Sequence, residues 1–298
     1  MSFCRPVRVL LTLAVATLGI HLVGLSSVAA GRLILGTTTS TADSGLLEAI
    51  LPDFEHRFDV DVEVLAVGTG QALEMGRRGD VDVLLVHART LEDTFVEEGY
   101  AAARYDVMFN DFIIVGPLAD PLGIKDTLLA ADAFLLLSQR EEPFASRGDN
   151  SGTNIKELQI WTSIDLSPGV QEEWYIALGQ GMAATLVYAN ETGAYALTDR
   201  GTFLARSDVL PDLQIVVGGP SIELNKDETL RNSYGVLPLS PERFPWVNAD
   251  TAAAFVAWLT SAETQEAIAE FGIEKHGQPL FFPDSEAWRA QEESSADE

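Results

Sequence analysis

Short apolar runs alternate with helical periodicities along most of this chain, and that alternation limits the fold more than any other feature. Residues 32–35 are apolar and end at Gly36, after which Leu46, Leu47, Ile50, Leu51 and Phe54 recur at helical spacing. Pro52 falls inside that helix and is expected to kink or shorten it. Val60, Val62 and Val64 alternate with acids in a strand reaching Val67, and Gly68-Thr69-Gly70 opens a helix through Leu73 and Met75. Residues 81–86 read as a third strand and 91–98 as a third helix. Strands alternating with helices imply parallel pairing through right-handed crossovers, an α/β class.

Residues 112–115 form a fully apolar strand closed by Gly116-Pro117, and the rhythm then restarts with a helix over 125–137. The loop 144–154, a helix to Trp161, a helix over 181–190, the segment 195–203 and a strand over 213–217 follow. The apolar stretch 234–239 and helices over 249–259 and 262–271 return the chain to its first half. The expected division is therefore a lobe made of 31–113 and 234–288, a second lobe over 114–233, and an acidic tail over 289–298 that lacks structure.

Arg5 and Arg8 precede an apolar run over 9–25 and the small residues Ser26-Ser27-Val28-Ala29-Ala30, the pattern of a secretory leader over 1–30 cleaved near Ala30. A periplasmic or secreted location follows. Cys4 is the only cysteine and lies ahead of the apolar run, so the exported chain has no disulfide partner and no thiol nucleophile. The formal net charge of −26 makes nucleic acid an unsuitable partner and repels a dianion at long range. An anion site here must rely on short-range hydrogen bonds and local dipoles.

Gly36-Thr37-Thr38-Thr39-Ser40-Thr41 joins the first strand to the first helix, at the carboxyl edge where α/β sheets receive ligands. Helix amino ends offer unpaired N–H groups and a partial positive charge, so an oxyanion can sit there without a full countercharge. One hydroxyl suffices for a helix cap, and five exceed that need. Gly68-Thr69-Gly70-Gln71 repeats the arrangement, although Leu73 stands where a dinucleotide fingerprint wants its third glycine. Ser146-Arg147-Gly148-Asp149-Asn150-Ser151-Gly152-Thr153-Asn154 supplies a guanidinium fork, which Asp149 either orients or neutralises. In Thr198-Asp199-Arg200-Gly201-Thr202, Asp199 or Thr198 caps a helix, and Arg200 reaches either a ligand or a nearby acid. His56, His87 and His276 are isolated from one another, which gives no metal site. His87 reads as a structural histidine. Ser40, His87 and Asp149 could be strung into a hydrolase triad on paper, without a Gly-x-Ser-x-Gly elbow to support it.

Taken together, Thr37-Thr38-Thr39-Ser40, Gly68-Thr69-Gly70-Gln71-Ala72-Leu73 and Ser146-Arg147-Gly148-Asp149-Asn150-Ser151-Gly152-Thr153 resemble the periplasmic tungstate-binding proteins of ABC importers. The likeness extends to Asn110-Asp111-Phe112, Gly179-Gln180-Gly181-Met182 and Leu197-Thr198-Asp199-Arg200-Gly201-Thr202. It implies a two-lobed, hinged, type II periplasmic-binding-protein fold, two α/β domains joined by two crossover strands. It also implies a non-enzymatic, cofactor-free monomer that takes tungstate and serves a membrane permease, with molybdate, sulfate or another tetrahedral oxyanion as the alternative ligand. The implied ligand contacts are Thr38, Thr39, Ser40, Thr69, Arg147, Ser151 and Thr153, supported from behind by Thr37, Asp149, Thr198, Asp199 and Arg200. A serine-dependent hydrolase is the remote rival.

Overall fold

The computed structural model describes Met1 and residues 31–125, 127, 129–169 and 171–296; apart from Met1, the expected leader lies outside the described residues. The first elements are β1 (Gly31–Thr38), α1 (Thr39–Asp43), α2 (Leu46–Phe58), β2 (Val60–Val67), α3 (Thr69–Arg78), β3 (Val83–Val86), α4 (Arg89–Glu97) and β4 (Tyr105–Pro117). Next come α5 (Ala130–Arg140), β5 (Phe144–Ser146), α6 (Gly152–Ser163), β6 (Tyr175–Ala177), α7 (Met182–Thr192), β7 (Ala196–Asp199), α8 (Arg200–Ala205) and β8 (Leu213–Val217). The chain closes with β9 (Arg231–Pro238), α9 (Ala249–Leu259), α10 (Ala262–Glu270), α11 (Ile273–His276), β10 (Phe282–Pro283) and α12 (Glu286–Ala296).

The fold is α/β, around a mixed sheet in the order β10-β4-β9-β3-β1-β2, with β7 and β8 paired to β4 off that path. β1 lies parallel to β2 and β3, as the alternation of strands and helices requires. β4 belongs to both ends of the molecule. Its residues 105–111 pair with β9, and its residues 112–117 pair with β7 and β8. The sequence exposed only the second half of this strand, because Asp106, Asn110 and Asp111 interrupt the apolar pattern of the first. Those polar side chains are answered inside the protein, Asp106 and Asp111 by the guanidinium groups of Arg104 and Arg200 and Asn110 by Asn232.

Apolar side chains gather at both ends of β4. Leu33, Leu35, Phe54, Tyr234, Phe255 and Phe281 pack in one cluster, beside a second containing Leu84, Phe95 and Leu237. Phe112, Phe134, Phe144, Trp161, Tyr175 and Tyr195 pack in a third, beside Ile113, Met182 and Leu186 in a fourth.

Three local expectations change. Pro52 neither shortens α2 nor ends it: the helix runs on to Phe58, because Leu46, Leu47, Ile50, Leu51 and Phe54 bury one continuous face that outweighs a single lost backbone bond. The helix expected from residue 125 starts at Ala130, whose amide donates to Asp227 Oδ2 at 2.7 Å. Upstream, the Asp120 carboxylate accepts from the amides of Ile124 (3.2 Å) and Lys125 (2.8 Å) and holds a turn instead. The tail, expected to lack structure from residue 289, is helical through Ala296. Ser285 Oγ accepts from the Trp288 amide at 3.2 Å, and Arg289 pairs with Asp284 at 3.1 Å and Asp106 at 3.5 Å.

Trp161 is fully buried, its ring centroid 4.3 Å from Phe134 and its Nε1 donating to Glu157 Oε1 at 3.2 Å. Trp161→Ala is expected to cost about 3–5 kcal/mol in urea denaturation, through cavity formation and a lost donor to a buried carboxylate.

Candidate anion-binding site

Four strand-to-helix turns present helix starts toward one region. β1 ends where α1 begins, β2 where α3 begins, and β7 where α8 begins, while β5 leads through a short loop into α6. Thr38 Oγ1 accepts from the Thr41 amide (3.2 Å), Ser151 Oγ from Asn154 (3.3 Å) and Asp199 Oδ1 from Thr202 (2.8 Å). Gly68 caps α3 without a side chain. The remaining first-turn N–H groups lack helical partners by construction.

Contacts between the turns draw them together. The Gly152 amide donates to Thr69 Oγ1 at 3.1 Å, tying the start of α6 to the start of α3. Glycine is needed there, since a Cβ would lie 3.0 Å from His87 Cε1 and 3.1 Å from Thr69 Oγ1. His87 follows β3, with Nε2 3.1 Å from Thr38 Oγ1 and 3.2 Å from Ser40 Oγ. Its Nδ1 lies 3.0 Å from Asn232 Oδ1, and Asn232 Nδ2 donates to Asn110 Oδ1 at 2.7 Å. That network assigns the proton to Nδ1 and leaves Nε2 to accept from a hydroxyl. Thr38 Oγ1 also lies 2.6 Å from Thr41 Oγ1 and 3.1 Å from Ser40 Oγ, which makes a chain of hydroxyls.

Arg147 is 3% exposed, and its Nε and Nη2 donate to Asp149 Oδ2 at 3.1 and 2.6 Å. Asp149 Oδ1 accepts from the Ser151 amide at 3.1 Å. Asp149 thus both orients the guanidinium and offsets its charge. Thr153 Oγ1, Thr202 Oγ1 and Asp199 Oδ2 are buried without a hydrogen-bond partner. Unpaired buried polar atoms are costly, and the two hydroxyls, at the starts of α6 and α8, are donors that an oxyanion can meet, whereas the Asp199 oxygen can donate only in the protonated form that its burial favours.

Burial pushes the His87 imidazole down to about 4, with Asn232 opposing and the Arg147 charge reinforcing the shift. Burial raises the Asp199 carboxyl above its ordinary range, with the Thr202 amide and Arg147 opposing. Arg147 is therefore within electrostatic reach of both.

Of the residues expected at the site, Thr38, Ser40, Thr69, Arg147, Ser151 and Thr153 are buried at these turns. Thr39 is half-buried at the first position of α1. Thr37 turns into the sheet and donates to the Leu85 carbonyl at 2.7 Å, and Thr198 Oγ1 donates to the Asp199 carbonyl at 3.1 Å. Between the two roles open to Arg200, the acid wins: Nε and Nη2 grip Asp111 at 2.8 and 2.7 Å, while Nη1 and Nη2 donate to the carbonyls of Gly219 and Gly218. Thr41 and Thr202 lie in the blocks read as candidate loops without being named as contacts, the sequence reads His87 as structural, and it misses Asn232. For Asn232 no local signal exists, because its value comes from pairing with residues more than a hundred positions away.

The paper triad also separates. Ser40 meets His87, but Asp149 is held by Arg147, and the neutral Asn232 takes the place an acid would need. A ring kept neutral by burial and facing an amide lacks the stabilised imidazolium on which serine hydrolysis depends.

Residues 25–263 match the PBP superfamily domain. The chain belongs to the PBP superfamily. It is 48% identical to a Haloferax volcanii protein provisionally named an ABC transporter anion-binding protein, covering 85% of this chain and 72% of that one. It is 44% identical to the tungstate-binding protein TupA of Peptoclostridium acidaminophilum, covering 86% and 87%. The crystal structure of the tungstate ABC transporter from Geobacter sulfurreducens superposes with a TM-score of 0.72 at 46% identity, covering 80% of this chain and 98% of that one. This PBP-superfamily member thus stands among proteins named for tungstate and anions, and two of its unpartnered buried hydroxyls, those of Thr153 and Thr202, sit at helix starts, where anions bind.

His87 supplies a test of the buried network. A histidine with a folded value near 4 and an ordinary value near 6.5 takes up its proton more readily when unfolded, so its stabilisation is whole above about pH 6.5 and is lost as pH falls toward 4. Asp199, shifted upward, works in the opposite sense. Wild type is expected to lose more stability than His87→Gln between pH 6.5 and 4 in denaturant titrations. Equal losses would rule out a buried neutral His87.

Proposed function

We propose that this protein is an exported substrate-binding protein that captures tungstate between its two lobes and hands it to the permease of an ABC importer. The observation that carries the reading is the meeting of the α3 and α6 starts at Thr69 and Gly152, beside Arg147 and the unpartnered hydroxyls of Thr153 and Thr202. Residues 31–113 and 234–288 act as one lobe and 114–233 as the other, with β4 and the start of β9 as the hinge. Ligand binding favours the closed arrangement, because only there do donors from both lobes reach the same anion. Thr38, Ser40, Thr69, Ser151 and Thr153 supply hydroxyl and amide donors, and Arg147 supplies the charge-assisted contact. Thr39, at the first position of α1, offers its amide.

The names of the TupA relative and of the Geobacter structure support tungstate as the ligand. Molybdate is almost the same size and remains the paired ligand to compare; sulfate is smaller and suits a tighter cage. Export through the leader over 1–30 agrees with the described residues, where no helix is long and apolar enough to cross a membrane. The protein works as a monomer, without a cofactor and without catalysis.

Tungstate should raise the melting temperature of the protein with a dose dependence set by mass action, ahead of sulfate and phosphate. Arg147→Ala should weaken tungstate binding by about 2–5 kcal/mol in calorimetry, and Arg147→Ala with Asp149→Asn should recover part of that loss by removing the stranded carboxylate. Unchanged affinity in Arg147→Ala would remove the guanidinium from the site.

A further inference from the structure

A cleft of about 190 Å³ adjoins the site, sharing His87 and Gly152 with it. Arg89, Lys156 and Arg231 line it, and no Asp or Glu does. In a chain with 45 acids and 19 lysines and arginines, a wall carrying three cations and no carboxylate runs against the composition. Arg89 comes from α4, Lys156 from α6 and Arg231 from the start of β9, so three separate elements place positive charge on one opening.

Each cation is held where it is. Lys156 Nζ donates to the Thr229 carbonyl at 2.8 Å, lies 5.9 Å from the Phe112 ring, and forms no ion pair among the described residues. The Arg231 guanidinium stacks 3.5 Å over the Phe109 ring and pairs with Asp284 at 3.0 Å. Arg89 pairs with Asp93 at 2.8 Å and with Asp106 at 3.6 Å. Neither Asp93, Asp106 nor Asp284 is among the residues that line the cleft.

We propose that this cleft is a cationic vestibule through which the oxyanion reaches the site, which rests on the tungstate-binding reading above. The molecule as a whole repels a dianion, but in 0.15 M salt that repulsion is damped beyond about 8 Å. Inside that distance the nearest charges are those lining the cleft, Lys156 with no ion-pair partner among the described residues and Arg89 and Arg231 shared with aspartates outside the lining. Local fields of this kind raise association rates by roughly 10- to 1,000-fold. The vestibule acts on the rate of capture, while the hydroxyls and Arg147 set how long the anion stays.

Stopped-flow measurement of tungstate association tests this with the full mature chain, using tryptophan fluorescence. The variant Arg89→Gln, Lys156→Gln, Arg231→Gln is compared with Lys125→Gln, Arg243→Gln, Lys275→Gln, which makes the same change in net charge at exposed positions elsewhere. The vestibule variant should associate about 10-fold more slowly at low salt, with the gap closing as salt rises and dissociation changing less than about twofold. The control should keep the wild-type rate. Equal slowing in both variants, no slowing in the first, or a loss confined to dissociation would overturn the vestibule. If the triple variant does not fold, Lys156→Gln alone is read the same way, with an expected slowing of about two- to threefold. A wild-type protein that takes up no tungstate would instead sink the functional reading itself.

Discussion

The Gly152 amide donates to the Thr69 hydroxyl at 3.1 Å, and around that bond the start of α6 is laid against the start of α3. The approach is possible only because residue 152 has no side chain: His87 and Thr69 both lie within 3.1 Å of where a Cβ would be. Both residues come from the β1–β3 end of the molecule, and Gly152 comes from the other. The proposed site, with Ser151, Thr153 and Arg147 near the α6 start and Thr38 and Ser40 near the α1 start, rests on this closeness. Two helix starts that remained apart would each be an ordinary capped end exposed to water.

The electrostatics of the region follow from burial more than from net charge. Arg147 is matched by Asp149, and His87 is held neutral, so the site is polar and nearly charge-balanced before any ligand is considered. Such a site attracts an anion through fixed N–H and O–H dipoles, which cost no reorganisation and act strongly where water is scarce. That accounts for how a strongly acidic protein can present an anion site at all. Apart from buried acids such as Asp111, Glu157 and Asp199, the acids of the described residues are at least partly exposed, where screening weakens them, and the donors act at contact distance.

The sequence made the alternating elements legible, because a periodicity of two or of 3.6 survives in any single stretch of chain. The hydroxyl and glycine blocks after β1, β2 and β5 were legible for a similar reason: each is contiguous. Most of what failed is non-local. The first half of β4 looked polar because Asp111 and Asn110 are paid for by Arg200 and Asn232, and neither partner is near in sequence. The helical tail is another case, resting on Arg289 contacts with Asp284 and Asp106 that composition alone could not suggest. His87 was legible as a satisfied buried histidine, and it is one. Its partners on Nε2, however, are Thr38 and Ser40 of the hydroxyl-rich loop, which ties a structural residue to the proposed site.

Asp199 and Arg200 show how the scaffold and the site share one stretch of chain. Arg200 is fully buried and spans Asp111 on β4 and the carbonyls of Gly218 and Gly219 beyond β8, three residues drawn onto one guanidinium. Removing one partner from such a buried pair leaves an uncompensated charge and is strongly destabilising, so the position of Arg200 is effectively fixed. Asp199 is its direct neighbour and spends Oδ1 on the amide of Thr202. With its backbone anchored and one oxygen committed, the other oxygen is left buried and unpartnered. The ion pair on the crossing strand thus fixes the backbone that carries this buried oxygen.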